Sequence, residues 1–179
     1  MGDTGGRPRP GVDAMLLLTF RAAGSRYAVD VKRVVEVVPR VELRALPHAP
    51  GSLVGVFDYR GRVVPVVDLG LLFGGPRSAD RLSTRVILVD ARAPEAEAAA
   101  TARQRRLLGL IAEQVSDVSA VKPAQMISAR MQLPQSPYLG PIVEIGQEMV
   151  QLVAAEHILE PPLQDAFFAP GAAGTPAGS

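Results

Sequence analysis

The sequence contains no cysteine and no tryptophan, and its only histidines are His48 and His157. Without cysteine the chain has no disulfide, no thiol nucleophile and no thiolate-ligated zinc or iron–sulfur cluster, and two histidines exclude a His-rich metal site. Phosphate-loop, zinc-helix and nucleophile-elbow motifs are also missing. The residues therefore predict no metal, no cofactor and no catalytic site.

The sequence also lacks an excess of either positive or negative charge. Lys and Arg number 19 against 18 Asp and Glu, which leaves a net charge of +1. This balance gives no electrostatic case for nucleic acid or for an acidic membrane surface. No apolar stretch approaches the length of a membrane span, and the Gly/Pro-rich start lacks the apolar run of a signal peptide. We expect a cytoplasmic protein that does not insert into a membrane.

The length of 179 residues suits one domain, or two small ones that share a core. Residues 1–13 and 161–179 are dense in Gly, Pro and Ala, and we predict that they are flexible tails. Phe167 and Phe168 interrupt the second tail and predict a loosely docked aromatic pair. The folded part is expected to span residues 14–160.

Short apolar runs, many of them β-branched, fill most of this part and are bounded by Gly, Pro or Asp, which favours strands and hairpins. The predicted strands lie near residues 15–20, 26–29, 41–46, 63–67, 86–89, 107–118, 142–145 and 149–154.

Two helices are predicted between these strands. Val31, Val34, Val35 and Val38 follow helical spacing after a possible Asp30 cap, which predicts a helix over 31–38. A second helix is expected over 69–73. Residues 91–106 are rich in Ala and charge, and we interpret them as a long exposed connection.

A faint internal repeat divides the chain. Gly55 and Gly61 are six residues apart, as are Gly140 and Gly146, and each pair precedes an apolar strand. Such a repeat predicts two small β-barrel subdomains. Since half of this chain is near the lower limit for independent folding, we expect a shared core.

The segment Asp58-Tyr59-Arg60-Gly61 contains the one residue that local structure does not explain. A tight turn needs Asp and Gly, but nothing in a turn requires a guanidinium. Arg60 is therefore either an ordinary solvated charge or a cation presented to a partner.

Four blocks, at residues 20–39, 46–69, 83–90 and 108–121, resemble the CheW-like domain of bacterial chemotaxis coupling proteins in their order and spacing. The family's usual turn, Asn-Leu-Arg-Gly, matches here in Arg60 and Gly61 but not in Asp58 and Tyr59. That departure looks like the adaptors of Wsp-type surface-sensing systems.

The resemblance implies a mainly β fold of two intertwined, SH3-like, five-stranded barrels with short helices. It also implies a non-catalytic adaptor that joins the cytoplasmic tip of a methyl-accepting chemoreceptor to the regulatory domain of the histidine kinase CheA. No residue is assigned to the kinase surface. The residues that match the family, together with residues next to them in sequence, are predicted to bind partners. They are Val34, Glu36, Val37, Gly55, Asp58, Tyr59, Arg60, Gly61, Arg85 and Val86.

Two alternatives remain open from the residues. The chain could be a small-ligand-binding or hydrolytic β-barrel, or a free-standing copy of a kinase regulatory domain. A deep pocket with perturbed carboxylates would favour an enzyme, whereas a shallow apolar groove would favour an adaptor.

Overall fold

The computed structural model describes residues 14–94, 101, 104–127 and 133–169. Within these ranges strands dominate, with two α-helices, α1 (Leu69–Leu72) and α2 (Pro161–Phe168), and short 3-10 turns. The strands are β1 (Met15–Ala22), β2 (Ser25–Asp30), β3 (Val34–Pro39), β4 (Leu53–Tyr59), β5 (Arg62–Asp68), β6 (Arg85–Asp90), β7 (Leu107–Val121), β8 (Met126–Ile127), β9 (Leu139–Ile145) and β10 (Glu148–Val153). The predicted mainly β class is confirmed.

The strands form two halves, as the internal repeat predicts. The first half contains β3, β6, the beginning of β7, β5 and β4, in that spatial order. A bridge between Arg44 and Val56 links the β3–β4 connection to β4. The second half contains the end of β7, β1, β2, β10, β9 and the two-residue β8. Because β1 and β2 precede the first half in sequence but belong to the second, the halves are intertwined.

Strand β7 joins the two halves. Its beginning pairs with β6 and β5, and its end pairs with β1. The change of partner occurs near Gln114, whose φ of 47° lies in the left-handed region. The β1–β7 register shifts at the same point, as expected where a bulge bends a strand.

One apolar core extends across both halves. Phe20 and Val29 from the second half pack in the same cluster as Leu69, Ile87 and Leu108 from the first. All five are almost fully buried. The expected shared core is confirmed, and burial of this kind is the main stabilising contribution in a small domain.

The predicted helix over 31–38 is wrong. Asp30 does cap a turn, since its side chain accepts from the Lys32 amide at 2.9 Å, but the turn is a 3-10 helix that ends at Arg33. The chain then continues as β3, paired with β6. Valine fills most positions here, so the helical spacing was fortuitous, and β-branched side chains favour the strand.

The C-terminal tail predicted from residue 161 is also wrong over its first eight residues, which form α2. Two prolines in the first turn begin this helix, a position that tolerates a missing N–H. Helix α2 packs against the shared core through Leu163, Phe167 and Phe168. The aromatic pair therefore docks on the folded part, as expected. Residues 1–13 and 170–179 lie outside the described residues.

Two further expectations need correction. The strand expected over 41–46 is reduced to the single bridge at Arg44. The connection expected to be exposed over 91–106 begins with buried residues, because Ala91 and Arg92 are 6% and 8% exposed. The middle of that connection is not among the described residues. Helix α1, by contrast, occupies Leu69–Leu72, within the predicted range 69–73, and Asp68 caps it.

Candidate partner-binding site

The turn between β4 and β5 presents Arg60. Tyr59 pairs with Arg62 across the hairpin, so the loop consists of Arg60 and Gly61 alone. Both residues have positive φ, 52° and 79°, which is the two-residue turn whose twist matches that of the flanking strands. The Asp58 carboxylate accepts from the Gly61 amide at 2.8 Å and fixes the turn. A left-handed backbone at a non-glycine residue costs about 1 kcal/mol, so the turn holds Arg60 under strain.

Three side chains meet beside this turn: Glu36 from β3, and Tyr59 and Arg60 from the hairpin. The Tyr59 hydroxyl donates to Glu36 Oε2, and Arg60 Nη2 lies 3.2 Å from the same oxygen. The Arg60 guanidinium carbon is 5.0 Å from the centre of the Tyr59 ring. We call these three residues the Glu36 cluster. Although held on two sides, the Arg60 side chain is still 76% exposed.

The Glu36 cluster changes the acidity of its tyrosine. The hydrogen bond from the Tyr59 hydroxyl to Glu36, helped by partial burial, raises the pKa of Tyr59 above its usual 10.0. The neighbouring Arg60 cation opposes this shift without cancelling it. Tyr59 therefore stays a protonated donor at neutral pH and keeps Glu36 in place.

An open groove of about 680 Å³ adjoins the cluster, between β3 and β4. Its walls are mainly apolar, and Glu42, Arg44 and Asp58 supply its charged groups. We call it the β3–β4 groove. The apolar lining residues are Val38, Val41, Leu43, Val56 and Phe57.

The structure brings together part of the predicted set. Glu36, Asp58, Tyr59, Arg60 and Gly61 share one surface. On β3, Val37 is 39% exposed, whereas Val34 is half-buried against the shared core.

Three other predicted residues lie apart from this surface. Val86 is 1% exposed and packs against Val66 and Ile111, so it supports the strands and is not free to touch a partner. Gly55 is also buried, and a Cβ atom there would lie 2.7 Å from the Arg44 carbonyl oxygen. Glycine is needed at this close approach. Arg85 donates to the carbonyls of Leu82 and Thr84 rather than to the cluster.

Sequence reasoning missed the groove. The sequence predicts a strand over residues 41–46, and Glu42 is not among the predicted site residues. The contact between Glu36 and Arg60 joins residues 24 apart in sequence and depends on how β3 and β4 face each other. The one usable signal is the pair of apolar residues Val41 and Leu43 in a segment bounded by Pro39 and Pro47.

Fold and site together define a class: a two-barrel β protein whose candidate site is an open apolar groove with a strained, exposed cation at its edge. The CheW-like domain family matches residues 16–162. The chain belongs to this family.

Relatives agree with this assignment. The chain is 27% identical over 145 residues to a probable chemotaxis protein CheW of Rhizobium etli, covering 78% of this chain and 84% of that protein. It is 24% identical over 147 residues to chemotaxis protein CheW of Klebsiella aerogenes, covering 79% and 80%. The fold matches the crystal structure of scaffolding protein TtCheW from Thermoanaerobacter tengcongensis with a TM-score of 0.70 at 20% identity, over 87% of this chain and 94% of that one.

Proposed function

We propose that this chain is a non-catalytic chemotaxis adaptor that couples chemoreceptors to the histidine kinase CheA. The observation that carries the proposal is the family match over nearly the whole folded part, from residue 16 to 162. Relatives named as chemotaxis protein CheW, aligned over most of their length, support the same role. The resemblance to Wsp-type adaptors stays a prediction.

The shape of the candidate site supports an adaptor over a hydrolase. The β3–β4 groove is open and mainly apolar, as a surface for another protein's side chains would be. Asp90 has a lowered pKa, but it lies at the end of β6 in a buried pair with Arg92 and does not line the groove. A small-ligand enzyme would instead concentrate perturbed acids in its pocket.

The proposed receptor surface consists of the Glu36 cluster and the adjoining β3–β4 groove. Val37 follows Glu36 in β3 and lies on the opposite face of the strand, so its role in binding stays a prediction. A receptor tip is a helical hairpin, so its apolar ridge would lie in the groove and an acidic side chain would meet Arg60. Arginine suits this role because its planar guanidinium forms paired hydrogen bonds with a carboxylate. The proposed second partner is the regulatory domain of CheA, for which no residue is assigned.

The proposed location is the cytoplasm, at the inner face of the membrane through receptor arrays. Among the described residues no helix is both long and apolar enough to span a bilayer. Membrane association would therefore depend on the receptor.

The direct test is binding of the purified chain to a receptor signalling-tip fragment and to the CheA regulatory domain, measured by calorimetry. We expect Arg60→Ala to weaken receptor binding by about 1–3 kcal/mol, the usual range for an interface arginine. Arg60→Glu should weaken it further through like-charge repulsion. The matched control is Lys122→Ala, which removes an exposed cation from the second half.

Each result bears on a different part of the proposal. If neither fragment binds the wild-type chain, the adaptor function is wrong. If both bind but Arg60→Ala and Lys122→Ala behave alike, the adaptor stands and Arg60 is only a solvated charge.

A further inference from the structure

Three arginine side chains surround Tyr59. Arg60 lies over the tyrosine ring, with its guanidinium carbon 5.0 Å from the ring centre. Arg62 is the residue opposite Tyr59 in the β4–β5 hairpin, so these two side chains lie on one face of the hairpin. Arg105, just before β7, is near enough that its positive charge opposes the rise in the pKa of Tyr59. We call Arg60, Arg62 and Arg105 the arginine trio.

The backbone that presents Arg105 is fixed on both sides. The Arg105 carbonyl accepts from Arg62 Nη2 at 2.5 Å. The next amide, that of Arg106, donates to the Asp90 carboxylate at 3.2 Å, and the Arg106 carbonyl accepts from the Ala91 amide at 2.8 Å. Because Asp90 and Ala91 are both buried, these bonds attach the segment to the body of the protein. The backbone at Arg105 is therefore preorganised, which lowers the entropic cost of binding a ligand there.

Positive charge exceeds negative charge around the trio. Among the described residues, Glu36 is the one acid that contacts it, through Arg60 at 3.2 Å. The Asp58 carboxylate instead accepts from the Gly61 amide. The half-buried guanidinium of Arg105 has no hydrogen-bond acceptor and no ion-pair partner within the described part of the chain. Partial burial of a charged group without a partner is unfavourable, so an anion bound here would stabilise the fold.

Phosphate suits this arrangement better than a single carboxylate does. Glu36 balances one of the three cations, and a phosphate monoester carries about two negative charges at neutral pH, which would balance the other two. Guanidinium groups bind phosphate oxygens through paired hydrogen bonds. The hairpin supplies two of the arginines and the segment before β7 supplies the third, so different oxygens of one phosphate can be bound from separate sides.

The β3–β4 groove begins where the trio ends, because Tyr59 belongs to both. Phe57 also lines the groove, and its ring meets that of Tyr59 edge to face, with ring centres 6.4 Å apart. A volume of about 680 Å³ has room for a flat ring system beside these aromatic side chains. Nucleic-acid bases pack favourably on such side chains. The expected ligand therefore combines a phosphate with a planar ring.

We propose that the arginine trio binds the phosphate of a nucleotide whose base lies in the β3–β4 groove. This binding goes beyond the proposed adaptor function, and it requires neither receptor nor kinase. Arg60 and the groove also belong to the proposed receptor surface, so nucleotide and receptor would exclude each other. A nucleotide would thus reduce receptor binding by occupying part of the same surface.

The test is calorimetric titration of the full chain with inorganic phosphate, with each of the common ribonucleoside monophosphates and with the matching nucleosides. Sodium chloride keeps the ionic strength constant, so that general screening does not mimic binding. We expect at least one monophosphate to bind more tightly than inorganic phosphate, because its base adds contacts in the groove. The matching nucleoside should bind far more weakly. Bound nucleotide should also raise the melting temperature, because it binds the folded state.

Two variants test the two parts of the site separately. Arg105→Gln should weaken phosphate binding by about tenfold or more, as loss of a charged hydrogen bond does, and without ligand it should melt no lower than the wild type. Arg81→Gln is its control, since it removes the same charge from an exposed arginine between α1 and β6. Val41→Ser removes apolar surface from the groove at a position that is already 37% exposed. It should weaken nucleotide binding several-fold and leave inorganic phosphate unaffected.

Several outcomes would overturn the proposal. If neither phosphate nor any nucleotide binds the wild type, the site does not exist. Equal losses in Arg105→Gln and Arg81→Gln would mean that general positive charge, and not the trio, attracts the anion. Inorganic phosphate that binds as tightly as every nucleotide would exclude the groove as the site of the base. None of these results involves receptor or kinase, so they are independent of whether the adaptor function is correct.

Discussion

The backbone strain at Arg60 leads to a prediction that separates binding from stability. Arg60 has a φ of 52°, and asparagine is among the non-glycine residues that adopt this region most readily. Replacing arginine with asparagine should recover about 1 kcal/mol of backbone strain. It also removes the contacts to Glu36 and Tyr59, which together contribute about 0.5–1 kcal/mol because Arg60 is so exposed. These two effects nearly cancel, so Arg60→Asn should be about as stable as the wild type.

Alanine provides the comparison, because it loses the same contacts without relieving the strain. Arg60→Ala should therefore be less stable than Arg60→Asn by about 1 kcal/mol, a difference of about 2–4 °C in melting temperature for a chain of this size. Both variants should lose receptor binding to the same extent. Urea unfolding and calorimetry measure the two quantities. Equal stability of the two variants would refute the argument from strain.

Three further predictions concern the body of the protein. Asp68→Ala leaves buried amides without an acceptor and should cost about 3 kcal/mol in urea unfolding, whereas Ser78→Ala should cost about 1; equal losses would contradict this ranking. Leu163→Ala should cost about 1–2 kcal/mol because α2 packs on the core, and no change would mean that α2 adds nothing. Burial raises the pKa of Asp90 but its bonds with Arg92 lower it more, so the folded pKa lies below 3.8. The stability that Asp90 contributes is present above pH 3.8 and is lost as the pH falls through its folded-state pKa. The free energy of unfolding of Asp90→Asn should therefore depend less on pH in this acidic range.

Sequence patterns predicted the strands well because their cues are local. The β1–β2 and β9–β10 hairpins, β6 and the long β7 are each marked by apolar, often β-branched residues with turn residues at the ends. The failures have local causes too. A run of valines satisfies helical spacing by chance, and the two prolines that begin α2 are as typical of a flexible tail as of a helix start.

The candidate site was less predictable because it is assembled from distant segments. The turn and the exposure of Arg60 follow from four adjacent residues, and both are confirmed. Its contact with Glu36 depends on how the first half curves, which no local pattern specifies. Likewise, the resemblance implies that Gly55 and Val86 bind a partner, but both residues are buried in strands and present no side chain at the surface.

The proposed adaptor function makes a mechanical demand on the contact between the two halves. A receptor and a kinase can be coupled through this protein only if its two halves keep a fixed orientation relative to each other. Tyr27 of β2 stacks on Phe73 after α1, with ring centres 4.3 Å apart, and Phe73 stacks in turn on Tyr138. The Tyr138 hydroxyl donates to the Leu72 carbonyl at 3.2 Å. Burial in this contact raises the pKa of Tyr27. These contacts join the end of α1 to β2 and to the start of β9, so a rotation between the halves would unstack rings packed on the shared core. Because interiors are close-packed and deform little, the halves should move together as one body.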